Sequence, residues 1–215
     1  MGLLLWSFVV SMLEPWFPIE CARCGLVGAS PCSSCRDLLT PAPVCPDIDG
    51  LDLACGLVTY DETTRPFVAE LKFRGCWAAA RSFTPALAML IADCVGEQRP
   101  GPILTWAPTS SDRARGRGFD QAEVLARLIA ARTRRPLRRL LVRRGAARQT
   151  GRSRLERSAG IDFDPVGSVT GPVLVIDDVL TTGATLSSAA LTLREAGASA
   201  VIGITLAVTP RHRAL

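Results

Sequence analysis

The stretch Pro172–Ala190, PVLVIDDVLTTGATLSSAA, decides the fold of this 215-residue chain. It opens with Val173–Ile176, a short apolar run rich in β-branched residues that predicts a parallel strand covered on both faces. The run ends in two adjacent carboxylates, Asp177 and Asp178. Behind the following turn, helical spacing is shown by the apolar residues Leu186, Ala189, Ala190, Leu193 and Ala196. Gly197 is placed to end this helix in the left-handed conformation. The carboxylates and the turn are therefore predicted at the carboxyl end of a parallel strand, where open α/β sheets bind ligands.

The turn Thr181–Thr185, TTGAT, has the composition of an anion site. Small residues that open a helix present backbone N–H groups and the positive end of the helix dipole, and Gly183 lets the backbone approach a phosphate closely. Asp177 and Asp178 would repel a bare anion, but they accept hydrogen bonds from sugar hydroxyls and bind divalent cations. A phosphorylated ribose meets both requirements. The alternative is an ordinary strand–turn–helix with capping threonines.

The run LVIDDVLTTGAT, residues 174–185, resembles the phosphoribosyl-pyrophosphate (PRPP) signature of type I phosphoribosyltransferases. The resemblance implies a parallel sheet flanked by helices, and Mg²⁺ as the cofactor that accompanies PRPP. It also implies that Asp177 and Asp178 bind the 2′ and 3′ hydroxyls of the ribose. The residues implied to hold the 5′-phosphate are Thr181, Thr182, Gly183, Ala184 and Thr185.

Composition and the first residues set the broad class of the chain. An apolar content of 48% indicates a folded protein, and eight cysteines are too few for a disulfide scaffold in a chain of this length. Met1–Leu13 is apolar but shorter than the roughly 20 residues that span a bilayer, and no basic residue precedes Arg23. A short helix docked on its own domain is the preferred interpretation, and contact with a membrane surface is the alternative. We expect no membrane span and a cytoplasmic location.

Two C-x-x-C pairs predict a metal site near the amino terminus. Their spacing suits one tetrahedral structural zinc ion with a thiolate at every position, and disulfides are disfavoured in a reducing cytosol. The predicted ligands are Cys21, Cys24, Cys32 and Cys35. Unmetallated thiols are the alternative. Cys45 and Cys55 are single cysteines and are not assigned to a metal, and Cys76 and Cys94 are predicted to be small core or surface residues.

The chain is predicted to comprise two parts, joined by a linker over Pro41–Asp52. Residues 1–45 would hold the amino-terminal helix and zinc knuckle, and residues 54–215 the α/β domain. Strands are predicted over Ala54–Tyr60, Ile103–Ala107, Leu137–Val142 and Ala200–Val208. Helices are predicted over Thr64–Phe73, Ala79–Val95 and Ala122–Ala131.

Two further features suggest contacts to a pyrophosphate group. Lys72 is the only lysine among 25 basic residues, which indicates either a position that needs a compact ammonium group or chance survival in an arginine-biased chain. The loop after the strand at Ile103–Ala107 carries three arginines with interspersed glycines: Arg113, Arg115 and Arg117. Such a loop predicts a second anion site, and a solvated basic loop is the alternative.

The order of these motifs identifies a subfamily by resemblance. A cysteine knuckle, Lys72-x-x-Gly75, a strand that leads to an Arg-Gly-Phe-Asp-Gln stretch, and the PRPP motif together resemble the ComF family. Members of this family are phosphoribosyltransferase-like and are associated with competence and DNA utilisation. The residues in the corresponding stretch are Arg113, Arg117, Gly118, Phe119 and Gln121. Asp120 stands where the family usually has asparagine. The family's second cysteine pairs are degraded here, since Cys45 and Cys55 stand alone.

The net charge of +5 is concentrated in residues 132–157, which hold eleven arginines and the single acid Glu156. By resemblance, Arg143–Arg157 corresponds to a mobile hood over PRPP, with Gln149 and Arg157 at family-typical positions. A nucleic-acid backbone is an alternative partner for this charge. The segment has no Phe, Tyr or Trp for base stacking, so such a contact is expected to be weak. His212, the only histidine, is predicted to be solvated.

Two functions fit this pattern. In the first, the chain transfers phosphoribose from PRPP to an unidentified acceptor: Asp177 and Asp178 orient the ribose, and Arg113, Arg117 and Lys72 receive the pyrophosphate. In the second, the chain binds PRPP or a nucleotide without turnover and assists the DNA-uptake machinery. The sequence reveals no general base for an acceptor, and it does not specify an oligomeric state.

Overall fold

The computed structural model describes residues 18–72, 77–96, 101–110, 115–116, 118–144 and 161–210. The helices with described bounds are α1 (Ser33–Arg36), α2 (Arg65–Lys72), α3 (Ala78–Val95), α4 (Gln121–Thr133) and α5 (Ala184–Glu195). The strands are β1 (Leu53–Thr59), β2 (Ile103–Trp106), β3 (Leu141–Arg143), β4 (Phe163–Pro165), β5 (Gly171–Leu180) and β6 (Ala198–Val208). The helix predicted within residues 1–13 lies outside the described residues, and the division into residues 1–45 and 54–215 stays a prediction.

Four strands form a parallel sheet in the order β1-β6-β5-β2. The apolar run Val173–Ile176 lies at its centre in β5 and is buried, as its composition predicted. The strand does not end at Ile176, because its pairing with β6 continues as far as Leu180 opposite Val208. Asp177 and Asp178 therefore belong to the last part of the strand and are not the start of the turn.

Helices cover both faces of the sheet, so the α/β class is confirmed. Side chains that alternate along β5 point to opposite faces. Leu174 and Ile176 pack in one core with α2, α3 and α4, whereas Val173 and Val175 pack in a second core with α5. In the first core, Phe67 and Phe83 meet edge to face with ring centroids 6.1 Å apart.

One helix of the described residues, Ala78–Val95, is long and apolar enough to cross a membrane. Six of its buried residues, among them Phe83, Leu87 and Ile91, belong to the first core, where the helix packs against α4 and β1. The helix begins one residue before the predicted Ala79 and continues through Pro85. Its place in the core indicates that α3 is a core helix of this domain.

The predicted strand at Leu137–Val142 is partly wrong. Leu137 makes a single parallel bridge to Leu104, and the strand β3 begins only at Leu141 and includes Arg143. β3 pairs antiparallel with β4, a strand that the sequence did not predict. These strands have three residues each, too few to show a hydrophobic period. Arg143, predicted to open the hood loop, lies instead in this ribbon.

Short segments run along both edge strands of the parallel sheet. Beside β1, Pro41 bridges Val58 in the antiparallel sense, and the N–H of Ala42 donates to the carbonyl of Leu57. Beside β2, the N–H of Leu104 donates to the carbonyl of Pro136. The segment predicted as a linker, Pro41–Asp52, thus begins alongside the sheet.

Gly197 ends α5 with φ +105°, as its position predicted. A Cβ atom there would lie 2.6 Å from the carbonyl oxygen of Val169. We expect Gly197→Ala to lower the free energy of unfolding by about 2 kcal/mol or more, because a positive φ costs other residues about 1–3 kcal/mol and the clash adds to it. Urea denaturation measures this loss. Gly167→Ala is the control, since its φ is +75° but nothing lies within 4 Å of the added atom. Equal losses in both variants would show that the contact with Val169 has no effect.

Candidate functional site

A polar cavity of about 150 Å³ lies at the carboxyl ends of β2 and β5. This is the edge at which parallel α/β sheets bind ligands. It is lined by Lys72, Ala107, Pro108, Thr109, Asp120, Gln121, Ala122, Arg143, Asp177, Asp178, Val179 and Thr185. We refer to it below as the carboxylate pocket. Residues from six elements or their ends therefore converge on the place that the central motif predicted.

Asp177 and Asp178 are held by backbone hydrogen bonds at the end of β5. The N–H of Asp178 donates to Oδ1 of Asp177 at 2.8 Å, and the N–H of Val179 donates to Oδ1 of Asp178 at 2.7 Å. A hydrogen bond between the two side chains also contributes to the raised pKa of Asp177, and Oδ2 of Asp178 has a further partner. That partner is Nζ of Lys72, 3.4 Å away. The two side chains are thus oriented before any ligand binds.

The environment of Asp177 disfavours its negative charge. Burial and the neighbouring carboxylate of Asp178 raise the pKa of Asp177 well above its usual range, and Asp120 adds to the effect. A sugar hydroxyl or a divalent cation at Oδ2 would stabilise the charged form. A strongly raised pKa in a cleft is typical of a binding or catalytic carboxylate.

The turn Thr181–Thr185 leads into α5, whose N-cap is Gly183 with φ +87°. Its members do not all face the same space. Thr185 lines the carboxylate pocket, whereas Thr182, Gly183 and Ala184 line a neighbouring open cavity of about 550 Å³. A Cβ atom on Gly183 would lie 3.1 Å from the side chain of Ile48, so glycine allows this close packing.

Lys72 is brought into the carboxylate pocket although it lies far from β5 in the sequence. It is the last residue of α2, and its side chain is 30% exposed against 17% for Asp178. A cation here partly offsets the two adjacent carboxylates.

Several pocket residues had no ligand role in the sequence prediction. Arg143 reaches the pocket from β3, with its guanidinium carbon 5.9 Å from the ring centroid of Phe163. Gln121 is buried, with 6% of its surface exposed. Its Oε1 has no hydrogen-bond partner within the described ranges. An unpaired buried acceptor is costly, so a ligand donor would be stabilising at this position. In the sequence, the only signal for a role of Gln121 is its place in the Arg-Gly-Phe-Asp-Gln stretch.

Asp120 occupies the position at which the family that this sequence resembles usually has asparagine. Both of its carboxylate oxygens accept hydrogen bonds. Oδ2 accepts from the N–H of Thr109 at 2.8 Å, and Oδ1 from the N–H groups of Ala122 and Glu123 at 3.0 and 3.4 Å. It therefore caps α4 and ties the strand-end loop to the helix. Burial raises the pKa of Asp120, against the lowering effect of these donors.

We expect Asp120→Ala to lower the free energy of unfolding by about 1–2 kcal/mol, the usual cost of losing an N-cap. Asp120→Asn should cost less, since its carbonyl oxygen still caps α4, although its amide nitrogen cannot accept from the N–H of Thr109. Urea denaturation of the two variants tests the order. An asparagine variant as unstable as the alanine variant would contradict the capping role.

Of the remaining predicted anion-binding residues, Arg115 and Thr181 are described and exposed. Arg113 and Arg117, like Gln149 and Arg157, lie outside the described residues. Of the predicted hood Arg143–Arg157, the structure describes Arg143, in the ribbon of β3 and β4, and Arg144, which directly follows it. That ribbon reaches the pocket through Arg143.

The four predicted metal ligands lie together. All four sulfur atoms of Cys21, Cys24, Cys32 and Cys35 are within 4.8 Å of one another, and the Cys24 and Cys32 sulfurs are 3.7 Å apart. Four thiolates at about 2.3 Å from a tetrahedral zinc ion are separated by about 3.8 Å. The cluster therefore fits one closed tetrahedral metal site. We call the segment Ile19–Arg36 that contains it the knuckle.

The thiols of the knuckle influence one another. Burial acts to raise the pKa of Cys21, but backbone N–H groups of Cys32, Cys24 and Arg23 outweigh it and lower the pKa to about 6. Arg23 acts to lower the pKa of Cys35, yet burial and the three neighbouring thiols raise it to about 12. Four adjacent thiolates repel one another, and a divalent cation at their centre relieves that repulsion.

The other described cysteines form no comparable group of metal ligands within the described part of the chain. Burial raises the pKa of Cys45, and burial and Cys94 raise that of Cys55 to about 12.

Comparison with known proteins finds relatives among competence proteins. The chain is 30% identical over 147 residues to the competence protein ComFC of Bacillus subtilis, which is 67% of this chain and 59% of the relative. It is 30% identical over 148 residues to ComFC of Streptococcus pneumoniae, which is 67% of this chain and 63% of the relative. The chain thus spans about three-fifths of the length of these relatives. No family model matches.

Two solved structures are similar at a lower level. One is described as the allosteric regulatory enzyme of purine biosynthesis, with a TM-score of 0.43 and 19% identity over 64% of this chain and 30% of the other. The second is a purine phosphoribosyltransferase from Pyrococcus horikoshii, with a TM-score of 0.36 and 17% identity over 62% of this chain and 76% of the other.

Proposed function

This chain belongs to the ComF family, and from that premise we propose that its carboxylate pocket binds PRPP with Mg²⁺ and transfers phosphoribose to an acceptor. The observation that supports this most is the meeting of Asp177, Asp178 and Thr185 with Lys72 at the carboxyl end of β5. Two oriented carboxylates suit a ribose diol, and an ammonium group suits a phosphate. We propose that the chain acts in the cytoplasm and serves DNA uptake in competence.

The roles of the residues follow from their chemistry. Asp177 and Asp178 would accept hydrogen bonds from the 2′ and 3′ hydroxyls. The turn Thr181–Thr185 would bind the 5′-phosphate through backbone N–H groups at the start of α5. Mg²⁺ would neutralise part of the pyrophosphate charge as that group leaves C1.

Lys72 has a second task in this proposal. In the free protein it pairs with Asp178, and on binding it would turn to the pyrophosphate as sugar hydroxyls replace it at the carboxylate. Arg113 and Arg117 would add positive charge to stabilise the leaving group. Asp177 would ionise as the ligand arrives, because a hydrogen bond from a hydroxyl favours its charged form.

The knuckle would hold one structural zinc ion through Cys21, Cys24, Cys32 and Cys35. The sulfur spacing and the closed set of four thiols support this role. A closed site leaves no position for a substrate, so the metal would stabilise the fold and take no part in the transfer.

Calorimetric titration with PRPP and Mg²⁺, followed by a pyrophosphate-release assay over a panel of nucleobases, tests the proposal. We expect saturable binding that requires Mg²⁺, and release with one base. Absence of any heat of binding in folded, zinc-loaded protein would overturn it. A ribose 5-phosphate titration separates recognition of the sugar phosphate from recognition of the pyrophosphate.

The second candidate is a PRPP- or nucleotide-binding accessory protein without turnover. It is favoured by the composition of the carboxylate pocket: among the described residues that line it, the charged groups suit a sugar and phosphates. Saturable PRPP binding without pyrophosphate release from any base or amine would support this candidate. Arginines of residues 132–157 would then make a weak contact with a nucleic-acid backbone.

A further inference from the structure

We infer that Ser30 and Glu70 are positioning residues that couple the knuckle to Lys72, so that metal binding sets the geometry of the carboxylate pocket. The inference rests on the proposed function for the identity of the pocket ligand. The coupling itself requires only a metal in the knuckle and the observed contacts of α2. It assigns the knuckle a role in ligand affinity beyond folding.

The first link is the hydroxyl of Ser30. This residue lies between the two cysteine pairs and is fully buried, with 0% exposure. Its Oγ accepts a hydrogen bond from the N–H of Ala22, within the first cysteine turn, at 3.1 Å. The same hydroxyl donates to Oε2 of Glu70 at 2.5 Å. One side chain therefore joins the metal-binding turn to α2.

The second link is α2 itself. Glu70 and Lys72 both belong to its last turn. The buried face of the helix, Phe67, Val68 and Leu71, is part of the same apolar core as Cys21, Cys32 and Cys35. The knuckle and the helix therefore share both a polar contact and a packed surface, and displacement of one displaces the other.

The third link is the ion pair at the end of the helix. Lys72 reaches Asp178 at 3.4 Å from a position that α2 determines. A metal ion would tie the four sulfurs of the knuckle together, and its loss would release the turn that holds Ala22 and Ser30. A shift of that turn is transmitted through Glu70 to Lys72. Because coupling is reciprocal, a ligand bound in the pocket should also tighten metal binding.

The single lysine of the chain provides a direct reporter. Protein made with ¹³C-lysine yields one ε-methylene signal, from Lys72, and Asp178→Asn defines the signal of a broken ion pair. We expect Ser30→Ala, with its zinc retained, to move the Lys72 signal toward that position and to weaken PRPP binding about 3- to 10-fold. Zinc removal from the natural chain should do the same, and should add little in Ser30→Ala.

Two variants serve as controls. Ser34→Ala removes an exposed hydroxyl of the same knuckle and should change neither the Lys72 signal nor the PRPP affinity. Glu70→Gln keeps an oxygen that accepts from Ser30 and should preserve the affinity, whereas Glu70→Ala should lower it. Loss of affinity in both Glu70 variants would overturn the positioning role through this hydrogen bond.

The outcomes separate the coupling from the proposed function. A Lys72 signal that is unchanged by Ser30→Ala in folded, zinc-loaded protein overturns the coupling, even if zinc-free protein unfolds. Absence of PRPP binding in the natural chain overturns the proposed function alone, because the Lys72 signal still reports on the coupling. A moved signal with restored affinity in Glu70→Gln supports the inference in full.

Discussion

Asp177→Asn and Asp178→Asn should each weaken PRPP binding at least tenfold and abolish pyrophosphate release. Each change removes the negative charge that accepts hydrogen bonds from a sugar hydroxyl, and hydrogen bonds to charged groups contribute about 1.5–3 kcal/mol. Calorimetry with PRPP and Mg²⁺ measures the loss. Asp52→Asn is the matched control, since Asp52 binds Arg194 and the N–H of Val201 at the opposite end of the sheet. Unaltered affinity in both pocket variants would contradict the assigned site.

Although Asp177→Asn should weaken PRPP binding, it should raise the free energy of unfolding of the protein at high pH. The pKa of Asp177 is raised in the folded chain by burial and by Asp178, so the unfolded chain releases this proton at lower pH than the folded chain does. Stability contributed by the group is present at low pH and is lost as pH rises through the folded pKa. Urea denaturation should therefore find Asp177→Asn more stable than the natural chain at pH 8, with no such gain at pH 4. A less stable variant at pH 8 would show that the charged carboxylate is already compensated.

Replacement of a knuckle cysteine should have the largest effect on folding. We expect Cys35→Ser to lower the zinc content from one ion per chain to near zero and to reduce the free energy of unfolding by several kcal/mol, because metal binding at such sites contributes folding free energy. Cys35 is buried in the first core, so its loss also disturbs packing around α2. Metal analysis and urea denaturation measure the two effects.

Cys45→Ser is the control for the knuckle, since Cys45 lies outside the four-sulfur cluster. It should retain one zinc ion per chain and nearly all of the stability. Chelation should destabilise the natural chain and the Cys45 variant alike, but should change Cys35→Ser little. A zinc content near zero in freshly purified, reduced natural protein would overturn the metal assignment.

The sequence predicted the central part of the fold because its signals there are local. Val173–Ile176 is continuous and β-branched, which suits a doubly covered strand, and Ala200–Val208 repeats the pattern in its neighbour. The cysteine spacing likewise determined which sulfurs meet. The extension of β5 past Ile176 was not predicted, because two carboxylates interrupt the apolar pattern although the backbone continues to pair with β6.

The contacts that complete the site depend on residues distant in sequence. Lys72 meets Asp178 only because α2 packs beside the sheet, and no local pattern encodes that pairing. The ribbon that brings Arg143 to the pocket has strands too short to show a period. The sequence showed Asp120 only as a replacement for the asparagine of the family motif. In the structure its second oxygen, Oδ2, accepts a hydrogen bond from the N–H of Thr109. Such roles become visible only when the elements are packed together.

The segments that run beside β1 and β2 bear on how the molecule meets other copies of itself. An uncovered edge strand presents backbone donors and acceptors on which another chain can add a strand, a common route to fibrous aggregation. Here the edge positions Leu57 and Leu104 already have backbone partners in the segments that contain Pro41 and Pro136. Proline cannot donate a hydrogen bond, so those segments are themselves poor templates for a further strand. Self-association by continuous extension of this four-stranded sheet is therefore disfavoured.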